Sequence, residues 1–167
     1  VTDEMRRKSI ALRNGVEMPL LGFGVLRMKD PGECERCVLG ALESGYRMFD
    51  TAPPYGTESA AGSALNRYLR EGKVKREELF VITKLWIDDA GEEAAGKAFE
   101  ASLERLGLDY IDLYLIHQPY SDYYGAWRTV ERLYQEGKVR AVGVSNFSPE
   151  RLIDLCLNSK IPPMVNQ

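Results

Sequence analysis

The chain has 167 residues, 44% of them hydrophobic, and a formal net charge of −3 at pH 7. This length can bury one sizeable core, so we expect a single domain over residues 1–167. A slightly acidic chain with scattered Lys and Arg offers no electrostatic footprint for nucleic acid. No apolar run approaches the ~20 residues that span a membrane, and the polar start VTDEMRRK lacks a signal-peptide core. We therefore expect a cytoplasmic protein that binds neither nucleic acid nor membrane.

The three cysteines, Cys34, Cys37 and Cys156, are too few for a disulfide framework. Cys34 and Cys37 form a C-x-x-C at the start of a predicted helix, with no redox-type strand before it. A zinc site would need two more ligands, and among Cys and His the chain offers only Cys156 and His117. We expect no metal site.

Secondary structure is predicted to alternate along almost the whole chain. The Asn14-Gly15 pair between two short apolar runs predicts a hairpin over residues 9–20 with a two-residue primed turn. Strands then follow at 20–25, 46–50, 79–84, 111–117, 139–144 and 164–167. The helices between them are predicted at 30–45, 58–68, 90–106, 124–135 and from 148 onward. This alternation predicts a parallel sheet with right-handed crossovers.

The predicted strands end in polar, chemically capable residues. The residues at these ends are Asp50, Lys84, His117, Ser145 with Asn146, and Gln167. Functional groups at the ends of successive buried strands mark the catalytic face of a β/α barrel. The chain holds about six β/α units, whereas a closed barrel has eight in ~250 residues. We therefore expect an α/β protein, a parallel β/α barrel of the TIM type, that is incomplete and lacks its C-terminal part.

Asp50, Tyr55, Lys84 and His117 come from three neighbouring strand ends and can meet in one pocket. A phenol, with a reference pKa of ~10, is a poor acid at neutral pH unless something stabilises its phenolate. A lysine ammonium does so, and a carboxylate such as Asp50 would hold the ammonium in place. A histidine beside the phenol can orient a substrate oxygen. The set suits proton delivery to a carbonyl oxygen.

Each of these four residues also has an alternative role. Asp50 and Lys84 can form a plain salt bridge, Tyr55 can cap the barrel, and a lone histidine is often structural. Lys84 can also form a Schiff base, although a lysine paired with a carboxylate stays charged and is a poor nucleophile. A third possibility is a regulatory barrel, or a truncated fragment without activity.

Several stretches of the sequence resemble the aldo-keto reductase family. They are MPLLGFGV (18–25), GYRMFDTAPPYGTE (45–58), ELFVITKLW (78–86), LGLDYIDLYLIHQP (106–119), GKVRAVGVSNF (137–147) and the final PMVNQ. The resemblance implies a β/α barrel that binds NADPH, with NADH possible, and reduces aldehydes or ketones to alcohols. The chain departs from the family at Leu26, where an aromatic residue is frequent, and at Met48-Phe49, where a histidine is frequent.

The resemblance also assigns residues to roles. The catalytic tetrad would be Asp50, Tyr55, Lys84 and His117, with Tyr55 giving the proton. The cofactor-binding residues would be Gly24, Val25, Asp50, Ser145, Asn146 and Gln167. The substrate pocket would be lined by Trp86, His117 and Leu26. The partner would be a small carbonyl compound, and we expect the full-length protein to be a monomer.

Overall fold

The structure, a computed structural model, describes residues 8–167. The prediction that VTDEMRRK is not a signal peptide therefore lies outside the described residues, except for Lys8. Within residues 8–167, no helix combines the length and apolar character that crossing a membrane requires. In the same range, no three His, Cys, Asp or Glu side chains cluster as metal ligands. Cys34, Cys37 and Cys156 are free thiols.

An antiparallel hairpin precedes a series of alternating strands and helices. The hairpin strands are β1 (Ser9–Ala11) and β2 (Glu17–Pro19). The later strands are β3 (Gly22–Gly24), β4 (Met48–Asp50), β5 (Phe80–Leu85), β6 (Ile111–Ile116), β7 (Val139–Val144) and β8 (Val165–Asn166). The helices are α1 (Pro31–Glu43), α2 (Glu58–Arg70), α3 (Glu92–Leu106), α4 (Tyr123–Gln135) and α5 (Pro149–Leu157). Short 3-10 turns lie at Pro53–Tyr55, Arg76–Glu78 and Ile87–Asp89.

The six later strands form one parallel sheet in chain order, β3-β4-β5-β6-β7-β8. Each strand pairs in parallel with the next, and a helix connects every pair. This is the order in which the strands of a β/α barrel follow one another. The predicted fold class is confirmed.

Side chains alternate between the two faces of the sheet, as the pleat of a strand requires. On β5, Val81 and Leu85 pack into the core beneath the helices, whereas Phe80 and Ile82 lie in a second apolar layer. That second layer consists of Met48, Phe80, Ile82, Leu113, Leu115 and Ala141, with Leu12, Val16 and Met18 of the hairpin region against it. The hairpin thus covers the end of the sheet at which the strands begin and leaves the opposite end open.

The predicted two-residue turn of the hairpin is wrong. Residues 12–16 separate β1 from β2, and Gly15 N–H donates to the Leu12 carbonyl at 2.8 Å. A type I′ turn needs positive φ at both central residues, but only Gly15 has it, at +82°. The Asn14 side chain accepts from the Val16 N–H at 3.2 Å and donates to the Arg140 carbonyl of β7 at 2.9 Å.

Several predicted bounds also shift. Helix α3 begins at Glu92 rather than at residue 90, because Gly91 has φ +118° and a 3-10 turn precedes it. The strands predicted at 20–25 and 164–167 contract to β3 and β8, which each pair along one side only within residues 8–167. A sheet edge offers fewer partners, so its ladders are shorter.

Candidate active site

The four residues predicted to work together lie at the end of the sheet at which the strands finish. Asp50 ends β4, Lys84 is the last but one residue of β5, and His117 directly follows β6. Tyr55 ends the 3-10 turn Pro53–Tyr55, which Gly56 closes in the left-handed region at φ +69°. Because the carboxyl ends of parallel strands all lie at the same end of the sheet, the fold brings these four residues together.

The ammonium of Lys84 is buried, with 1% of the side chain exposed. It donates to the Asp50 carboxylate, and to the Thr51 carbonyl at 3.1 Å. Its third contact is with the Tyr55 hydroxyl at 3.4 Å. A buried charge is tolerated only when it is paired and hydrogen-bonded, and this set of partners meets that condition.

The Tyr55 hydroxyl lies between two nitrogens. The Nζ of Lys84 and the Nε2 of His117 are each 3.4 Å from it. The His117 ring also meets the edge of the Trp86 ring, with centroids 5.0 Å apart. A half-buried phenol thus has a cation on one side, an imidazole on the other and an aromatic wall nearby.

Burial, together with the nearby Lys84 charge, lowers the pKa of His117 to about 4, and the Asp50 carboxylate partly opposes this. The imidazole is therefore neutral at neutral pH and offers one N–H and one acceptor nitrogen. Its Nδ1 is buried without a hydrogen-bond partner among the described residues. A neutral ring here can donate to an oxygen without adding charge.

A second cluster of polar residues, Ser145, Asn146 and Gln167, lies directly after strands β7 and β8. Asn146 adopts a left-handed backbone at φ +62°. Its amide side chain donates to the His117 carbonyl and to the Ser145 hydroxyl, each at 3.0 Å. The Gln167 carbonyl accepts from the Asn146 N–H at 2.9 Å, and the Gln167 side-chain amide donates to Asp50 Oδ2 at 2.6 Å. Hydroxyl and amide groups from two strands therefore meet beside the tetrad.

The remaining predicted residues lie on β3 and just after it. Gly24 is in register with Asp50, is exposed, and has open space where a side chain would be. The Val25 N–H donates to the Asp50 carbonyl at 3.1 Å, and its side chain is buried. Leu26 is 56% exposed. The structure thus brings Gly24 and Val25 beside Asp50 but leaves Leu26 on the surface.

Two features of this site have no sequence signature. The backbone carbonyl of Thr51 is a partner of Lys84, and carbonyls are the same in every residue. The Thr51 and Thr57 hydroxyls lie 3.1 Å apart and close the loop that carries Tyr55.

The set of groups defines what the site can bind. Ser145, Asn146 and Gln167 carry hydroxyl and amide groups that can both donate and accept hydrogen bonds, and in this structure their donors bond to other protein groups. Gly24 leaves the backbone beside Asp50 accessible to a ligand. The residues present can therefore hydrogen-bond to a polar ligand that approaches Asp50.

The chain is similar to known proteins over most of its length. The model of the Aldo/keto reductase family matches residues 21–167. The glyoxal reductase of Bacillus subtilis is 47% identical over 162 residues, which is 96% of this chain and 57% of that protein. The 9,11-endoperoxide prostaglandin H2 reductase of Trypanosoma cruzi is 49% identical over 159 residues, covering 95% of this chain and 55% of that protein. The chain thus spans little more than half the length of these relatives.

A solved structure shows the same likeness in three dimensions. The crystal structure of a Bombyx mori aldo-keto reductase in complex with NADP superposes with a TM-score of 0.91 at 37% identity. The match covers 96% of this chain and 57% of that one. Since the family pattern extends over most of the chain, the protein belongs to the aldo/keto reductase family.

Proposed function

We propose that the protein reduces aldehyde or ketone carbonyls to alcohols with NADPH, or with NADH. The observation that carries this proposal is the Tyr55 hydroxyl, 3.4 Å from both Lys84 Nζ and His117 Nε2, with Lys84 bound to Asp50. A proton donor, a cation to stabilise its phenolate and a neutral hydrogen-bond donor suit carbonyl reduction, for which the cofactor would supply the hydride. Glyoxal is the first substrate to test, because a relative at 47% identity is a glyoxal reductase.

The proposed cofactor would be held by the polar group beside the tetrad. Ser145, Asn146 and Gln167 would bind the nicotinamide carboxamide, while Gly24, Val25 and Asp50 would lie beside the nicotinamide ribose. A Bombyx mori relative crystallised with NADP supports this choice of cofactor. When bound, the nicotinamide supplies a hydride for the carbonyl carbon.

The protein's own residues then handle the oxygen. His117, neutral because its pKa is about 4, donates a hydrogen bond that orients the carbonyl. Tyr55 gives its proton to the oxygen as the carbon receives the hydride, so the product is an alcohol. Lys84, held by Asp50, stabilises the phenolate that remains. Trp86 excludes water from the reacting carbon.

The alternative in which Lys84 forms a Schiff base has less support. An amine must be neutral to attack a carbonyl, and the buried contact with Asp50 favours the ammonium. Borohydride reduction in the presence of a carbonyl substrate would trap an adduct on Lys84 if this chemistry occurred. We expect no adduct.

The test of the proposal replaces the proton donor. In the full-length protein, Tyr55→Phe should lower kcat by about 100-fold or more, because a phenyl ring has no acidic proton to donate. Binding of NADPH, followed by fluorescence titration, should change little. Turnover of Tyr55→Phe near the parent rate, with chemistry rate-limiting, would exclude Tyr55 as the donor.

Lys84→Met serves as the coupled comparison. Its loss should be similarly severe, and the double variant should lose little more than either single variant, because the two residues act as a unit. Strictly additive losses would show that Lys84 and Tyr55 act independently.

A further inference from the structure

A second buried charge cluster lies behind the candidate active site, on the helix side of the sheet. Glu58, in the first turn of α2, has 1% of its side chain exposed. One carboxylate oxygen accepts from the Thr83 hydroxyl at 2.6 Å, and the other accepts from Arg105 Nε at 2.6 Å. A buried carboxylate is stable only with such partners, so these side chains join α2, β5 and α3 as one unit.

This cluster contacts the strand that carries the buried lysine. Thr83 directly precedes Lys84 on β5, and successive side chains of a strand point to opposite faces. The Thr83 side chain is fully buried on the helix side, whereas the Lys84 ammonium reaches Asp50 and Tyr55. Glu58 therefore holds β5 from behind at the residue next to the lysine.

The same carboxylate also fixes the loop that carries the phenol. Glu58 lies three residues after Tyr55, at the point where the loop becomes α2. The start of the loop is tied by the Lys84 bond to the Thr51 carbonyl at 3.1 Å. The hydroxyls of Thr51 and Thr57, 3.1 Å apart, connect its two ends. Tyr55 thus lies between two attachments of its loop to β5, of which Glu58–Thr83 is the second.

We propose that Glu58, acting through Thr83, is a positioning residue that sets the separation between Lys84 Nζ and the Tyr55 hydroxyl. The role rests on the proposed function, in which that separation governs how well the phenolate is stabilised. The Lys84 ammonium contacts the Asp50 carboxylate, the Thr51 carbonyl and the Tyr55 hydroxyl, and the last contact, at 3.4 Å, is the longest. A small shift of β5 against the loop therefore weakens the contact with Tyr55 first. Losing about 1 Å of alignment can cost about 100-fold in rate.

The Thr83 side chain provides a matched pair of variants. Thr83→Val keeps the shape and removes the hydroxyl, whereas Thr83→Ser keeps the hydroxyl. We expect Thr83→Val to lower kcat by at least about 10-fold, with the NADPH dissociation constant within about twofold of the parent. Thr83→Ser should stay within about twofold of the parent in both quantities.

The second readout is the pH at which Tyr55 loses its proton. Lys84 of β5 and His117 after β6 face this hydroxyl, and Asp50 of β4 acts on it through Lys84. NMR of ¹³C-labelled tyrosine, with the signal assigned by its loss in Tyr55→Phe, follows the titration without cofactor or substrate. Thr83→Val should move the midpoint to higher pH, because a retreating ammonium stabilises the phenolate less. Thr83→Ser should not.

The outcomes separate the two proposals. If the Tyr55 midpoint shifts in Thr83→Val but the parent protein reduces no carbonyl, the proposed function is wrong and the positioning role stands. A purely structural cluster would lower the unfolding temperature of Thr83→Val and leave both its kcat and the Tyr55 midpoint unchanged. That result, or an equal loss in Thr83→Ser, would overturn the positioning role. If Thr83→Val does not fold, Thr83→Cys replaces it, because a thiol of similar volume is a weaker hydrogen-bond donor. We then expect of Thr83→Cys the lower kcat and the higher Tyr55 midpoint that are expected of Thr83→Val.

Discussion

His117 is the only histidine of the chain, and its surroundings resist its protonation. Burial lowers its pKa from the ordinary 6.5 to about 4, with the Lys84 charge contributing and Asp50 opposing. In the unfolded chain the ring is free of these effects. Between these two values the unfolded chain therefore binds a proton that the folded protein does not, and stability must fall as the pH falls.

This linkage gives a prediction for the stability of the protein. The contribution of His117 is fully present above pH 6.5 and is lost as the pH falls towards about 4. Between about pH 7 and about pH 5 the loss should be roughly 2 kcal/mol. His117→Gln has no titrating ring, so its urea-unfolding free energy should fall less over the same range, and the difference between the two proteins isolates the histidine. Parallel curves for the two proteins would contradict the lowered pKa.

The tetrad was open to prediction because each member stands at a strand end or in a marked loop. A buried apolar run that stops at Asp50, Lys84 or His117 indicates where the side chain will lie. Glu58 gives no such signal, since an acidic residue in the first turn of a helix is common on protein surfaces. Its burial depends on Thr83 and Arg105, which are distant in sequence.

The burial of Asp112 has no sequence signal for the same reason. It lies within the run IDLYLI, whose apolar residues indicate an uninterrupted buried strand, and it is completely buried. Arg76 and Arg140 each donate to it at 2.8 Å, and the Val81 N–H donates at 2.9 Å. The pattern of one strand cannot reveal cations that arrive from other parts of the chain.

At the scale of elements, helices α2 and α3 approach each other more closely than ordinary side chains allow. A Cβ added to Gly62 of α2 would lie 2.5 Å from the Leu106 carbonyl oxygen at the end of α3. Asn66, one turn later, donates to both the Gly62 and the Leu106 carbonyls at 2.8 Å. The two backbones therefore meet directly, which explains a glycine in the middle of a helix.

Two glycine substitutions of the same kind should act in opposite directions. Gly62→Ala should destabilise the protein by about 1–3 kcal/mol, because backbone must move to admit the methyl group. Gly40→Ala in α1 should stabilise it by about 0.5–1 kcal/mol, since a Cβ added at this helical position would have nothing within 4 Å. Thermal and urea unfolding measure both. Equal effects of the same sign would show that the approach of α2 to α3 is not tight.

The existence and order of the elements followed from the sequence, but some of their ends did not. Periodicity of apolar residues fixes an element's type over its length, and Gly107 closes α3 at the predicted place with φ +63°. Asn14 shows the limit, because the Asn-Gly signal predicts a two-residue turn, whereas the loop is longer and its Asn14 side chain bonds to the Arg140 carbonyl of β7. Tertiary contacts decide such positions, and they are invisible in a local window.

At the scale of the molecule, the described sheet has two edges. Strands β3 and β8 each pair with a single neighbour among residues 8–167. Each edge therefore presents N–H and C=O groups that can pair with another strand. On the helix side, Ile153 and Leu157 of α5 are 59% and 80% exposed and lie one turn apart. The edge and the apolar helix face together favour association with further protein surface.

The polypeptide of residues 1–167 by itself should therefore self-associate or be partly unfolded. It should also bind NADPH weakly and turn over poorly, although it holds all four residues of the tetrad. In a closed barrel, side chains from alternate strands fill the interior. Here Met164 and Val165 pack at the border of the second apolar layer, the one that contains Phe80 and Leu113. The strand β8, which contains Val165, has no further neighbour within residues 8–167. The contact of Gln167 with Asp50 links the end of β8 to β4, so any motion of the free edge reaches the tetrad.

Light scattering coupled to size-exclusion chromatography, at several concentrations, measures the association directly. Urea unfolding of the same samples should show a broad transition rather than a cooperative one. The control is the full-length protein, purified in the same buffer and assayed with NADPH and glyoxal. A monodisperse monomer of residues 1–167 that unfolds cooperatively and matches the control in NADPH-dependent turnover would show that the two sheet edges are tolerated, and that the geometry around Tyr55 does not depend on pairing them.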